Sequence, residues 1–178
     1  MVAPVAPTPT TAQASIGSAP VAGLASDTLV TLKQGLINYK RADDLQKMDP
    51  AAVGLLKEWA AQNTPAVVAW LAEIPDENKQ REHAAEAMIA LEVENEPAVA
   101  FTVANSINDD TVRGNRLDDI LLVWAVKDPA SASAALKSAL VPDANRARLE
   151  IMIESIKSGT LTEDQRAKIA EKIQKMSN

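Results

Sequence analysis

The chain contains no cysteine and a single histidine, His83. Without cysteine there is no disulfide framework, zinc finger, iron–sulfur cluster or thiol nucleophile. One histidine removes His-cluster metal sites and leaves little room for histidine-based acid–base chemistry. Glycine is scarce. The six residues Gly17, Gly23, Gly35, Gly54, Gly114 and Gly159 stand singly, so no glycine-rich loop is present to cradle a phosphate. Aromatic residues make up 3% of the chain. Basic residues are the minority, 18 Lys and Arg against 24 Asp and Glu, for a net charge of −6. That balance argues against phosphate-backbone binding as the main activity. No uninterrupted apolar run approaches the roughly 20 residues that cross a bilayer. What remains, in 178 residues, is one domain, or one domain with a tail, long enough to bury a core.

Residues Met1 to Ser26 carry no charged side chain and hold Pro4, Pro7, Pro9 and Pro20 among Ala, Thr, Ser and Gly. Such a stretch has too little bulky apolar surface to offset the entropy of ordering it, which predicts a flexible tail over 1–26. It lacks the basic start of a signal peptide, and its prolines interrupt any apolar run. It also suits the segment that follows a removed export signal, with Met1 added for expression. The expected compartment is therefore either the cytoplasm or the far side of an export step.

Beyond the tail the chain repeats. Pro65, Pro97 and Pro129 are 32 residues apart, and each opens an alanine-rich segment. Proline is tolerated in the first turn of a helix, where its missing N–H has no partner to lose. Asn63-Thr64 and Asp128 before it are good N-caps, and Glu96 is a poorer one. At the same offset, Ala85, Met88 and Ile89 align with Leu117, Ile120 and Leu121, then with Leu149, Met152 and Ile153. Spacings of i, i+3 and i+4 put each trio on one helical face. The next place on that stripe holds Glu92, Trp124 and Ile156, so the first unit departs from the pattern there.

These signals predict helical hairpins. First helices are expected near 65–74, 97–107 and 129–140, and second helices near 77–93, 111–126 and 143–157. A degenerate unit precedes them, with helices near 28–41 and 51–62. Thr162-Glu-Asp-Gln165 is a capping-box pattern that opens a last helix over 162–176, after Ser158-Gly159 has ended the one before. The expected fold class is all-α: a hairpin array over 27–157, a C-terminal capping helix over 158–178 and the N-terminal tail.

Trp124-Ala-Val-Lys-Asp-Pro-Ala-Ser-Ala, a Trp-Ala-x-x-Asp-Pro-x-x-Ala pattern, resembles the repeat of bacterial α-helical tandem-repeat proteins, broadly similar to TPR and HEAT arrays. Trp59-Ala-Ala-Gln-Asn-Thr-Pro carries one extra residue before its proline. The likeness covers about residues 50–157. It implies a short right-handed solenoid of about four hairpins and, by analogy, a binding role.

Catalytic patterns do not emerge. Three residues before His83 stands Gln80, so the Glu-x-x-His ligand spacing of di-iron bundles fails. Asp43-Asp44, Asp109-Asp110 and Asp118-Asp119 are adjacent pairs whose side chains diverge by about 100° on a helix, and they read as solvated charge. The array between 63 and 157 carries a net charge of −7, with Glu92, Glu94, Glu96, Asp109 and Asp110 bunched near hairpin ends, which reads as ordinary solubility or, alternatively, as a surface for a basic partner or a divalent ion. Trp59, Phe101 and Trp124 lie in apolar stretches and are expected between hairpins.

Val67, Trp70 and Ile74 form a bulky apolar stripe that later units replace with Val99, Thr102 and Ser106, then Ser131, Ala134 and Ser138. A stripe that two units do without is covered by something specific. Either the 28–62 hairpin covers it with Leu32, Leu36 and Tyr39, or another protein does. Val67, Trp70 and Ile74 are accordingly the candidate partner-binding residues. The expected function is a non-enzymatic protein–protein interaction module or scaffold, with no cofactor, no metal and no membrane span. One alternative is a HEAT-type nucleic-acid binder using Arg81, Arg113, Arg116, Arg146 and Arg148, and the other is an enzyme whose site the sequence does not display.

Overall fold

Several helix starts in this chain are built from an acidic or amide side chain followed by proline or a polar first turn. The computed structural model describes residues 26–177, and the expected flexible tail lies outside them apart from Ser26. Ten helices follow in order: α1 Ser26–Ile37, α2 Ala42–Leu45, α3 Pro50–Gln62, α4 Thr64–Ala72, α5 Gln80–Glu92, α6 Pro97–Asn105, α7 Asp110–Lys127, α8 Pro129–Leu136, α9 Asp143–Ser158 and α10 Glu163–Ser177. No strand occurs among the described residues, so this part of the chain is all-α.

The caps follow the sequence. Asp49 accepts from the Ala51 N–H at 3.2 Å and Asn63 from the Ala66 N–H at 3.2 Å. Asp109 accepts from the Thr111 and Val112 N–H groups at 2.9 Å, and Asp128 from those of Ala130 and Ser131 at 3.1 and 3.0 Å. Each satisfies donors that the first helical turn leaves orphaned. Glu96 makes no side-chain cap. Thr162 and Gln165 bond reciprocally at the start of α10, and Gly159 ends α9 with a left-handed φ of 70°.

Five boundaries differ from expectation, each for a local reason. The helices expected to reach 74, 107 and 140 stop at Ala72, Asn105 and Leu136, because the chain tightens into turns whose carbonyls are taken by arginines. The helix expected at 77 starts at Gln80, since Asn78 and Lys79 have positive φ, 51° and 61°, and sit at a 3-10 turn. The helix expected over 28–41 ends at Ile37. The Asp44 carboxylate accepts from the Lys40 and Arg41 N–H groups at 3.0 and 3.3 Å and so starts α2 instead.

From α4 to α9 each helix packs on the next in sequence, and α7 also meets α9. α1 lies on α5 and α3 on α4, while α10 returns to α7. The apolar trios face inward: Ala85, Met88, Ile89, Leu117, Ile120, Leu121, Leu149 and Ile153 are all buried, and Met152 is half-buried. They form one continuous core with Leu32, Leu36, Leu56, Val67 and Ile74, and Phe101 sits in the same core. Ile169 of α10 is buried as well, which seats the last helix.

Candidate functional site

The stripe proposed from the sequence sits on α4 and the turn after it. Val67 and Ile74 are completely buried and present nothing to a partner. Trp70 is half-buried. Its ring meets Trp59 of α3 edge-on, with centroids 5.8 Å apart and planes at 65°, a favoured aromatic geometry. Lys33 of α1 stands 5.8 Å over the same ring and reaches Glu73 at 3.8 Å. Trp59 and Lys33, both from the 28–62 segment offered as cover, lie against the Trp70 ring, which packs on the core that holds Leu32 and Leu36. Leu32 and Leu36 are spent in the core. Tyr39 lies near Glu86, Arg116 and Asp44, and burial followed by the Glu86 charge raises its pKa. In the corresponding places of later units Thr102 and Ala134 are exposed.

The five arginines do not form a free basic stripe. Arg81 donates to the Ile74 carbonyl at 2.9 and 3.0 Å, and Arg113 to that of Ile107 at 2.8 Å. Arg146 donates to Ala139 at 2.8 Å and also to Leu136. Each closes the carbonyl end of the preceding short helix. Arg116 of α7 pairs with Glu86 of α5, its Nε 3.0 Å from the carboxylate. Thirty-two residues on, Arg148 of α9 pairs with Asp118 of α7. Lys172 of α10 reaches Asp118 at 3.2 Å and pairs with Asp119 too. Asp118, expected as solvated charge, is buried under these partners.

Glu92 overturns a second expectation of solvated charge. It ends α5 with 1% of its surface exposed, and neither carboxylate oxygen has a hydrogen-bond partner. Among the described residues the other buried side-chain atom without a partner is Nε of Arg113. Burial pushes the Glu92 carboxyl up to about 7; the Lys57 charge pulls against this and the Glu96 charge adds to it. The signal was present in the sequence as the break in the apolar stripe at Glu92. What hid it is that a charged residue near a hairpin end ordinarily faces water.

Open grooves remain among the described residues. One of about 680 Å³ lies between α1, α2 and α3, floored by Leu32, Gly35, Met48 and Ala52. A second, about 330 Å³, is bordered by Leu71, Arg81, Ala85 and Ile107, and a third, about 510 Å³, by Arg116, Asp118 and Lys168. Among the described residues no cluster of three or more His, Asp or Glu side chains is placed to hold a metal ion, and no helix is long and apolar enough to cross a membrane. His83 is half-buried on α5. No family model, curated protein or solved structure matches the chain.

Proposed function

We propose that this chain is a non-enzymatic protein–protein interaction module, a short helical-hairpin solenoid with a 32-residue period that α10 closes at one end. The observation that carries this reading is the recurrence of one cross-helix ion pair at that offset, Glu86–Arg116 and then Asp118–Arg148. Pro65, Pro97 and Pro129 in the first turns of α4, α6 and α8 support it, as do the arginine–carbonyl bonds at the ends of those helices. Each hairpin is too small to bury its own apolar face, and stacking neighbours supplies a shared core. Glu86, Arg116, Asp118 and Arg148 are engaged in holding that stack. The nucleic-acid reading draws less support, since the arginines it needs have acceptors within the protein. The resemblance to TPR- and HEAT-like arrays belongs to the same proposal.

Of the candidate trio, the outer part of Trp70 is what a partner could touch, with exposed Ala69 beside it on α4. Photo-crosslinking residues placed one at a time at Ala69, Thr102, Ala134 and Ile151 in the cell test the reading. One discrete heterologous adduct from neighbouring positions, absent from the others, is the expected result. Adducts at no position, or the same smear at all four, would defeat it.

A further inference from the structure

Glu92 stands apart because its charge has no structural use. Its carbonyl accepts the Asn95 and Glu96 N–H groups at 3.1 and 2.7 Å, which fixes the turn from α5 into α6. α4 and α6, which flank α5, contain no ionisable residue. The charged groups that act on the carboxyl are Lys57 of α3 and Glu96 in the turn. α1 and α2 also lie on α5 and bring Asp27, Lys33, Asp43 and Asp44. Lys33 is engaged with Glu73 and Trp70, and Asp44 with Lys47 at 2.7 Å. On α5 itself, Arg81 holds the Ile74 carbonyl, Glu82 lies 3.4 Å from Lys79, Glu86 pairs with Arg116 and His83 is half-buried. A buried carboxylate without a pair is far costlier than a buried neutral carboxyl, so the closed junction selects the protonated form.

We propose that Glu92 is a proton-operated latch: protonated, it lets the end of α5 close against α4 and α6, and ionised, it loosens that junction while α7, α8 and α9 stay closed. The body beyond α6 has no counterpart to it. The places equivalent to Glu92 hold Trp124 and Ile156, which cannot ionise. Loosening is thus confined to the side of the array that carries Trp70, and it makes exposure of that side depend on pH around neutrality. The inference does not require the binding role proposed above.

The test uses the full chain. Hydrogen exchange, corrected for intrinsic rates, is followed from about pH 5 to about pH 8 alongside a carbon-13 titration of the glutamate carboxyls. The expected result is a Glu92 carboxyl titrating well above the other glutamates. Opening at the end of α5 and in α4 and α6 should rise by up to about tenfold per pH unit through that range, with α9 unchanged. Glu92→Gln, which keeps the shape without the charge, should abolish the rise. A Glu92 carboxyl that titrates with the other glutamates would overturn the proposal. So would opening that is independent of pH, or a Gln variant with the wild-type pH profile. Should the variant fail to fold, the wild-type titration and exchange decide alone.

Discussion

The ends of α5 and α7 carry opposite chemistry at equivalent places, a buried Glu92 and a half-buried Trp124. At the end of α7, Trp124 sets its ring edge-on against Phe101, with centroids 6.1 Å apart and planes at 61°. Thirty-two residues earlier, at the end of α5, Glu92 is enclosed with nothing to bond. On the α3–α4 side the aromatic contact is made instead by Trp59 and Trp70, with Trp59 one residue ahead of the place equivalent to Glu92. The comparison teaches that one place in the helix is enclosed to different degrees along the chain, since Glu92 is buried while Trp124 and Ile156 are half-buried. An apolar occupant gains from that enclosure, and a carboxyl is penalised by it.

The largest effect expected is on the apolar side of the comparison. Leu121 is fully buried on α7, and Leu121→Ala should cost about 2–5 kcal/mol in chemical denaturation. A change below ~0.5 kcal/mol would show that the α7 face is not the core the comparison assumes.

Next comes the carboxyl. The unfolded chain holds Glu92 near its ordinary value of 4.5 and the folded chain near about 7. Between those values the folded state binds more protons, so stability falls as pH rises and the loss is complete above about 7. Below the unfolded value both states are protonated and the penalty is gone. The full difference is on the order of 3 kcal/mol. Glu92→Gln should therefore be more stable than the wild type at about pH 8, by 1–3 kcal/mol as a rough range, and should match it at about pH 4. Equal stabilities at both pH values would erase the contrast between the two helix ends.

The ion pairs give the third measurement. Asp118→Asn weakens contacts to both Arg148 and Lys172 and should cost about 1.5–3 kcal/mol, loosening α10 first. Added salt should shrink that cost only partly, because Asp118 is buried while its partners reach solvent. Trp70→Ala removes a half-buried ring and should cost about 2 kcal/mol, less than a fully buried tryptophan. A soluble quencher should reach Trp70 slowly, and rapid quenching would mean that Trp59 and Lys33 do not cover it. The smallest effect belongs to Gly159→Ala, about 1 kcal/mol, from forcing a Cβ into the left-handed cap of α9.

Helix positions were legible in the sequence because their causes are local. Proline in a first turn, an aspartate two or three residues before an orphan N–H, and a trio at i, i+3 and i+4 each act within one or two turns. They placed α3, α6, α7, α9 and α10 within a few residues, and Leu117, Ile120 and Leu121 in the core. What depended on contacts between distant segments was not legible. That α1 lies on α5, that Lys33 stands over Trp70, that Arg148 and Lys172 converge on Asp118, and that Glu92 is enclosed are decisions of stacking. A charged side chain carries the same local signal whether it meets water or a neighbouring helix. Only the approach of that helix removes the water and turns one glutamate among many into a buried, unpaired acid.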